Sequence, residues 1–286
     1  MQHLKIFIEL TRLNRPIGFM LLFWPCSWGL VYAYKFNQNI NLLIYYLLLF
    51  FLGSILMRSA GCIINDIVDK DLDKKVNRTK ERPVASGNIS IAKSFLYAGI
   101  LCLFALSILL QFNKLTITLG LVSMLFAFSY PFMKRITFWP QLFLGFTFNW
   151  GIIMASSAIN NEVSFEIIIL YLSAIFWTLG YDTIYGAQDI VDDEIIGVKS
   201  TSIKFKNKIK LFVSINYLFS SMLLIYLFQE SLGFNLFSLL IFLFISSLML
   251  QIIKFDKLKP HTCLKAFKSN NFSGFLLFLG IGINNI

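Results

Sequence analysis

Four aspartates fall within nine residues in NDIVDKDLDKKVNRTKERP (65–83), at the edge of a long apolar run. A second group, Asp182, Asp189, Asp192, Asp193 and Glu194, lies in YDTIYGAQDIVDDEIIGVKST (181–201). Together they hold nine of the fifteen acidic residues of a chain that is 57% hydrophobic and only 14% charged. At about 100° and 1.5 Å per residue, a helix through the first group sets Asn65, Asp69 and Asp73 in one stripe. Asp71 then points the opposite way, where Lys75 can pair with it, and Asp66 lies between with Lys70 as its helical partner. The second group repeats the period: Tyr181, Tyr185, Asp189 and Asp193. Like charges four apart destabilise a helix, and a carboxylate at membrane depth costs about 2.5–3.5 kcal/mol. A shared cation explains two such stripes better than a solvated loop whose acids balance nearby lysines.

The available ligands are oxygens, since His3 and His261 are remote from both groups and no cysteine has ligand spacing. Hard oxygen donors favour Mg²⁺ or Ca²⁺ over zinc. Mg²⁺ takes one or two carboxylates, keeps waters and fills its other positions with substrate phosphates. Arg78 and Arg82 follow the first stripe and Lys199 follows the second. Guanidinium and ammonium groups bind phosphate, so acids and bases together point to a Mg²⁺-bridged diphosphate.

The elements that must carry these residues are membrane spans. With a mean hydropathy of +0.71 and 31 phenylalanines, the chain is far from a soluble composition. Apolar runs of spanning length occur at about 17–34, 42–64, 92–112, 115–133, 138–159, 165–188, 209–229, 233–253 and 271–286. If nine spans alternate from a cytoplasmic N-terminus, every one of the 25 basic residues except Lys35 and Lys114 falls on the inner side, as the positive-inside rule requires. The net charge of +10 then belongs to loops beside an anionic leaflet and calls for no nucleic acid. No cleavable signal is evident, and MQHLKIFIELTRLNRP reads as an interfacial amphipathic helix. Cys26, Cys62, Cys102 and Cys263 are scattered and read as small buried hydrophobes. Expected is one all-α polytopic domain over 1–286, with about nine transmembrane helices.

The chain echoes itself. NDIVDKDLDKKVNRT (65–79) and QDIVDDEIIGVKST (188–201) share D-I-V-D and then V-x-R-T or V-K-S-T. Four spans separate the copies, so both lie on one side of the membrane. This predicts two pseudo-repeated halves, with motifs at 65–87 and 181–201, building one site between them.

These motifs resemble those of the UbiA superfamily of intramembrane prenyltransferases. Asn65, Asp69 and Asp73 match its N-D-x-x-D-x-x-x-D motif, and Asp189 and Asp193 resemble the second. TRLNRPIGFMLLFWPCSWGL (11–30) and SYPFMKRITFWPQLFLGFTFNWG (129–151) are similar to the branch that prenylates 4-hydroxybenzoate in ubiquinone synthesis, although Asn14 stands where that branch often has aspartate. The resemblance implies helices around a central cavity opening to lipid; the expected setting is a bacterial inner membrane, with the active-site loops on the cytoplasmic side that the basic residues mark. It implies Mg²⁺ held by Asn65, Asp69, Asp73, Asp189 and either Asp192 or Asp193 against a polyprenyl diphosphate, with Arg78, Arg82 and Lys199 on the leaving group. Arg135 is the first candidate for the carboxylate of 4-hydroxybenzoate and Arg15 the second; Lys134 and Arg135 could also be plain interfacial anchors. Tyr181, Tyr185 and Asp182 extend the second stripe inward, where Asp182 orients the phenol, accepts a proton, or only bonds between helices. A naphthoate, haem or chlorophyll-precursor acceptor shares the diphosphate half of this chemistry. An ion-coupled transporter would instead place acids at mid-membrane depth. Oligomeric state is not encoded in these motifs.

Asp69→Asn and Asp189→Asn should each lower turnover by at least ~100-fold while membrane insertion stays intact. Product formation and membrane fractionation of the two variants test this, and retained activity in either removes that residue from the site.

Overall fold

Polar caps fix where the apolar runs become helices. The side chains of Asn39, Ser90, Asn113, Ser164 and Asn235 each accept a hydrogen bond from a backbone N–H two or three residues on, meeting donors that a helix start leaves unpaired. Pro140 and Pro260 open two other helices at the position where no N–H is needed. The computed structural model describes residues 2–34, 39–76 and 79–285. They form α1 (Gln2–Thr11), α2 (Ile17–Ala33), α3 (Ile40–Val68), the single turn α4 (Lys70–Asp73), α5 (Ile91–Leu109), α6 (Lys114–Ile136), α7 (Pro140–Asn160) and α8 (Phe165–Gly186). A 3₁₀ turn at Ala187–Asp189 leads into α9 (Ile190–Ile196), followed by α10 (Thr201–Lys204), α11 (Ile209–Leu227), α12 (Leu236–Lys254) and α13 (Pro260–Asn284). Among the described residues there is no strand.

The chain is an integral membrane protein. Seven helices, α3, α5 to α8, α11 and α12, are long and apolar enough to cross a bilayer. The apolar α2 is shorter, at 17 residues. One further long helix among the described residues, α13, has 25 residues and carries Lys265 and Lys268 in its first half. The expected last span, 271–286, thus overlaps the apolar end of a longer helix that closes at Asn284.

α8 lies at the centre, packed on α7, α11 and α13, and α2 closes against α3, α7 and α13. Their shared core includes Trp28, Trp177, Tyr181 and Phe244. A buried polar seam crosses it: Trp177 Nε1 donates to Asn270 Oδ1 at 2.9 Å, and Tyr217 O–H to Gln251 Oε1 at 2.7 Å. Asn270 and Gln251 bond each other at 3.0 and 3.1 Å. In a bilayer, apolar burial alone does not drive helix pairing, so close packing and such bonds hold the bundle. α2 lies close against α7, where a Cβ on Gly29 would lie 2.3 Å from the carbonyl oxygen of Ile152.

Two local expectations are corrected. The second span does not run unbroken through the first motif: α3 ends at Val68 and the chain bends at Asp69 (φ −93°, ψ 2°) before α4. The bend is shallow, because Asp69 N–H still donates to Asn65 O and Asp73 N–H to Asp69 O, both at 2.8 Å. Asp71 pairs with Lys74 at 3.9 Å, not with Lys75, because one turn of helix after a bend does not sustain the four-residue spacing.

Gly29→Ala forces α2 and α7 apart and should destabilise the bundle by about 1–3 kcal/mol. A lowered thermal midpoint in detergent checks it.

Candidate active site

The ends of α2, α3, α6 and α8 surround a polar cavity of about 310 Å³. Asn65, Asp69 and Asp73 line one side, and Asp189 and Asp193 line another. Tyr181, Asp182 and Tyr185 of α8 form its inner wall. Arg15, Arg82, Lys134 and Lys199 add positive charge. The two sequence motifs, more than a hundred residues apart, thus face one space. Asp192 and Arg135 do not line it, and Arg78 lies outside the described residues.

The carboxylates of the first motif are met by cations from other elements. Lys134 of α6 donates to Asp69 Oδ2. Asp69 Oδ1 is buried with no hydrogen-bond partner among the described residues, and Arg135 Nη2 is 3.7 Å from it. Burial pushes the Asp69 carboxyl above the ordinary carboxylate range, against the pull of Lys134 and Arg135. Asp73 Oδ2 accepts from Arg82 Nη1 at 2.8 Å. Asp66 is not at the surface with Lys70: it is 1% exposed and bonded to Arg12 and Arg82. Chain neighbours could not supply these partners, because the helix turns Asp66 inward toward α1.

Arg135 turns away from the cavity and donates through Nη2 to the carbonyl of Val68 at 2.5 Å. That bond caps the end of α3, which explains its orientation. Lys199 Nζ donates to Ile136 O at 3.1 Å, and Lys199 N–H to Lys134 O at 2.8 Å. The tail of the second motif is thereby tied to the end of α6.

Arg58, like Arg12, lines this cavity although neither acidic motif includes it. Arg58 sits inside the apolar α3, seven residues before Asn65, which places it on the same face about 10 Å deeper. It forms no ion pair among the described residues, and its guanidinium lies over the Phe148 ring at 5.5 Å. Gly18 of α2 makes room for it, since a Cβ there would lie 2.9 Å from Arg58 Nε. A lone arginine in an apolar run, two turns from a motif residue, was the available signal.

Arg58 and Asn65, with Tyr130 and Phe148, also line a second cavity of about 270 Å³. Its walls are apolar, drawn from α2, α3, α5, α6, α7 and the α5–α6 connection, and include Phe50, Phe112, Met124 and Met154. A polar head space and an apolar tail space meet at these four residues.

No group of three or more His, Cys, Asp or Glu side chains converges as a ready ligand set among the described residues. The carboxylates face Lys134 and Arg82 instead. Asp69 Oδ1, buried and without a bonding partner, together with Asn65 and Asp73, still offers the hard oxygens that Mg²⁺ takes when phosphates and waters complete its shell.

The UbiA prenyltransferase family matches residues 22–279. The chain belongs to this family. It is 41% identical over 285 residues to the mitochondrial 4-hydroxybenzoate polyprenyltransferase of Rattus norvegicus, covering 99% of this chain and 75% of that protein. It is 38% identical to the 4-hydroxybenzoate octaprenyltransferase of Coxiella burnetii, with 98% and 96% covered. The fold is shared with a UbiA homolog from Archaeoglobus fulgidus solved with GPP and Mg²⁺, at a TM-score of 0.74 and 17% identity over 98% of this chain and 99% of that one.

Proposed function

We propose that this UbiA-family protein transfers a polyprenyl group from a polyprenyl diphosphate to the ring carbon ortho to the hydroxyl of 4-hydroxybenzoate, with Mg²⁺, in ubiquinone biosynthesis. The observation that carries this reading is similarity over 98–99% of this chain to relatives named for that activity, in a chain whose two acidic motifs line one cavity. Asn65, Asp69, Asp73, Asp189 and Asp193 would hold Mg²⁺, with Asp192, outside the lining, now the weaker choice. Bound Mg²⁺ supplies stabilisation of the charge that develops on the leaving diphosphate. Arg78, Arg82 and Lys199 share that load as the allylic C–O bond breaks. The apolar cavity takes the prenyl tail and keeps water from the allylic cation.

The ring carbon then forms the C–C bond and loses its proton. Asp182 on the cavity wall is the nearest match for the acceptor of that proton, with Tyr181 and Tyr185 as the flanking surface for the ring. Arg58 takes the role first given to Arg135. It faces the cavity at the junction of head and tail spaces with no ion pair among the described residues, whereas Arg135 is committed to Val68 and Asp69. Arg15 lines the same cavity and remains the second cation for the acceptor. The domain reads as two pseudo-repeated halves that each supply one acidic motif. The setting is a bacterial inner membrane with these motifs on the cytoplasmic side, supported by the bias of Lys and Arg toward the same side.

Membranes carrying the protein should join a long-chain prenyl diphosphate to 4-hydroxybenzoate only when Mg²⁺ is present. Equal product in excess EDTA overturns the metal, and preference for a naphthoate in an acceptor panel overturns the acceptor. Arg58→Ala should raise the KM for 4-hydroxybenzoate by about 10- to 100-fold, the loss of one charge-assisted bond, with the donor KM nearly unchanged. The reverse split in steady-state kinetics moves Arg58 to the diphosphate.

A further inference from the structure

Asp66 belongs to the first motif yet does not line the polar cavity. Its carboxylate is 1% exposed, and Oδ1 accepts from Arg12 Nη2 at 2.5 Å and from Arg82 Nη1 at 3.3 Å. Both arginines do line the cavity. They arrive from different directions, Arg12 from the end of α1 and Arg82 from the loop beyond α4. Arg12 is also held at φ 55°, in a left-handed region that residues other than glycine seldom adopt. Ile6, Phe7 and Leu10 of α1 pack with Ala60 and Ile63 of α3, which fixes the end of α1 beside Asp66.

The charges explain what this arrangement can do. Arg82 is shared, because its Nη1 also reaches Asp73 Oδ2 at 2.8 Å. Two arginines and two carboxylates make a neutral set. Once Asp73 is engaged elsewhere, Asp66 alone balances both guanidiniums, and the set presents one net positive charge to the cavity. An anion with several oxygens is the complementary ligand.

We propose that Asp66 is a positioning residue that holds Arg12 and Arg82 together as a clamp for the donor diphosphate, so that Arg12, and through it α1, forms part of the donor site. This rests on the reading of the cavity as a prenyl diphosphate site. A purely structural tie between α1 and α3 would change stability without changing affinity for the donor.

The test uses full-length protein in lipid nanodiscs and geranyl S-thiolodiphosphate, a donor analogue that does not react, in the presence of Mg²⁺. Asp66→Asn and Arg12→Ala should each weaken analogue binding and raise the donor KM by about tenfold or more. The KM for the aromatic acceptor should stay within about twofold. The double variant should be little worse than either single one, because the two residues act as a unit. Analogue binding by both single variants within twofold of wild type overturns the clamp, as does a lowered thermal midpoint with unchanged constants. If Asp66→Asn fails to fold, Arg12→Ala alone decides by the same criteria. Should wild-type protein itself bind no analogue, the diphosphate site falls and the clamp with it. Equal binding by wild type and variants removes only the clamp.

Discussion

Buried carboxylates at the end of a membrane-spanning helix need opposite charge, and the arrangement of this molecule's polar end follows from that need. Desolvation makes an unpaired carboxylate there too costly to keep. Asp69 therefore draws Lys134 and Arg135 from the end of α6, Asp66 draws Arg12 from the end of α1, and Arg82 comes back from the loop to serve Asp66 and Asp73. Lys199 completes the connection through two bonds to the end of α6. Charge pairing thus sets which helix ends converge around the first motif, and Lys199 joins the second motif to them.

Below this charged layer the bundle is held by contacts that need no charge. α8 is almost wholly enclosed, and the amide seam of Asn270 and Gln251 links α8, α11, α12 and α13. The outer helices are different. Leu103 and Phe104 of α5 and Leu125 and Phe128 of α6 are exposed, as lipid-facing side chains should be. The space between these two helices, α3 and α7 is left as the apolar cavity. A close-packed inner half and an outer half that encloses the apolar cavity thus divide the work of holding charge and holding hydrocarbon.

The sequence made the spans legible because apolar runs of spanning length have few other uses. The acidic stripes were legible because helical period and charge are both local. What stayed hidden was set by tertiary geometry. Asp66 found a partner 54 residues away, when the helix offered Lys70 close by. Arg135 was drawn to a helix end that the sequence did not show as ending, since the bend at Asp69 has neither Gly nor Pro to mark it. Arg58 was absorbed into the count of basic residues near a loop, although its position inside α3 places it at membrane depth.

The four residues shared by the polar and apolar cavities set a boundary inside the molecule. An amphiphile lying across it meets charge chemistry on one side and only shape on the other. The apolar walls around Phe50, Phe112 and Met154 can then drift, altering which hydrocarbon lengths fit, without disturbing the charge balance around Asp69 and Arg82. Tail preference and head chemistry are in this sense separately inherited traits of one chain.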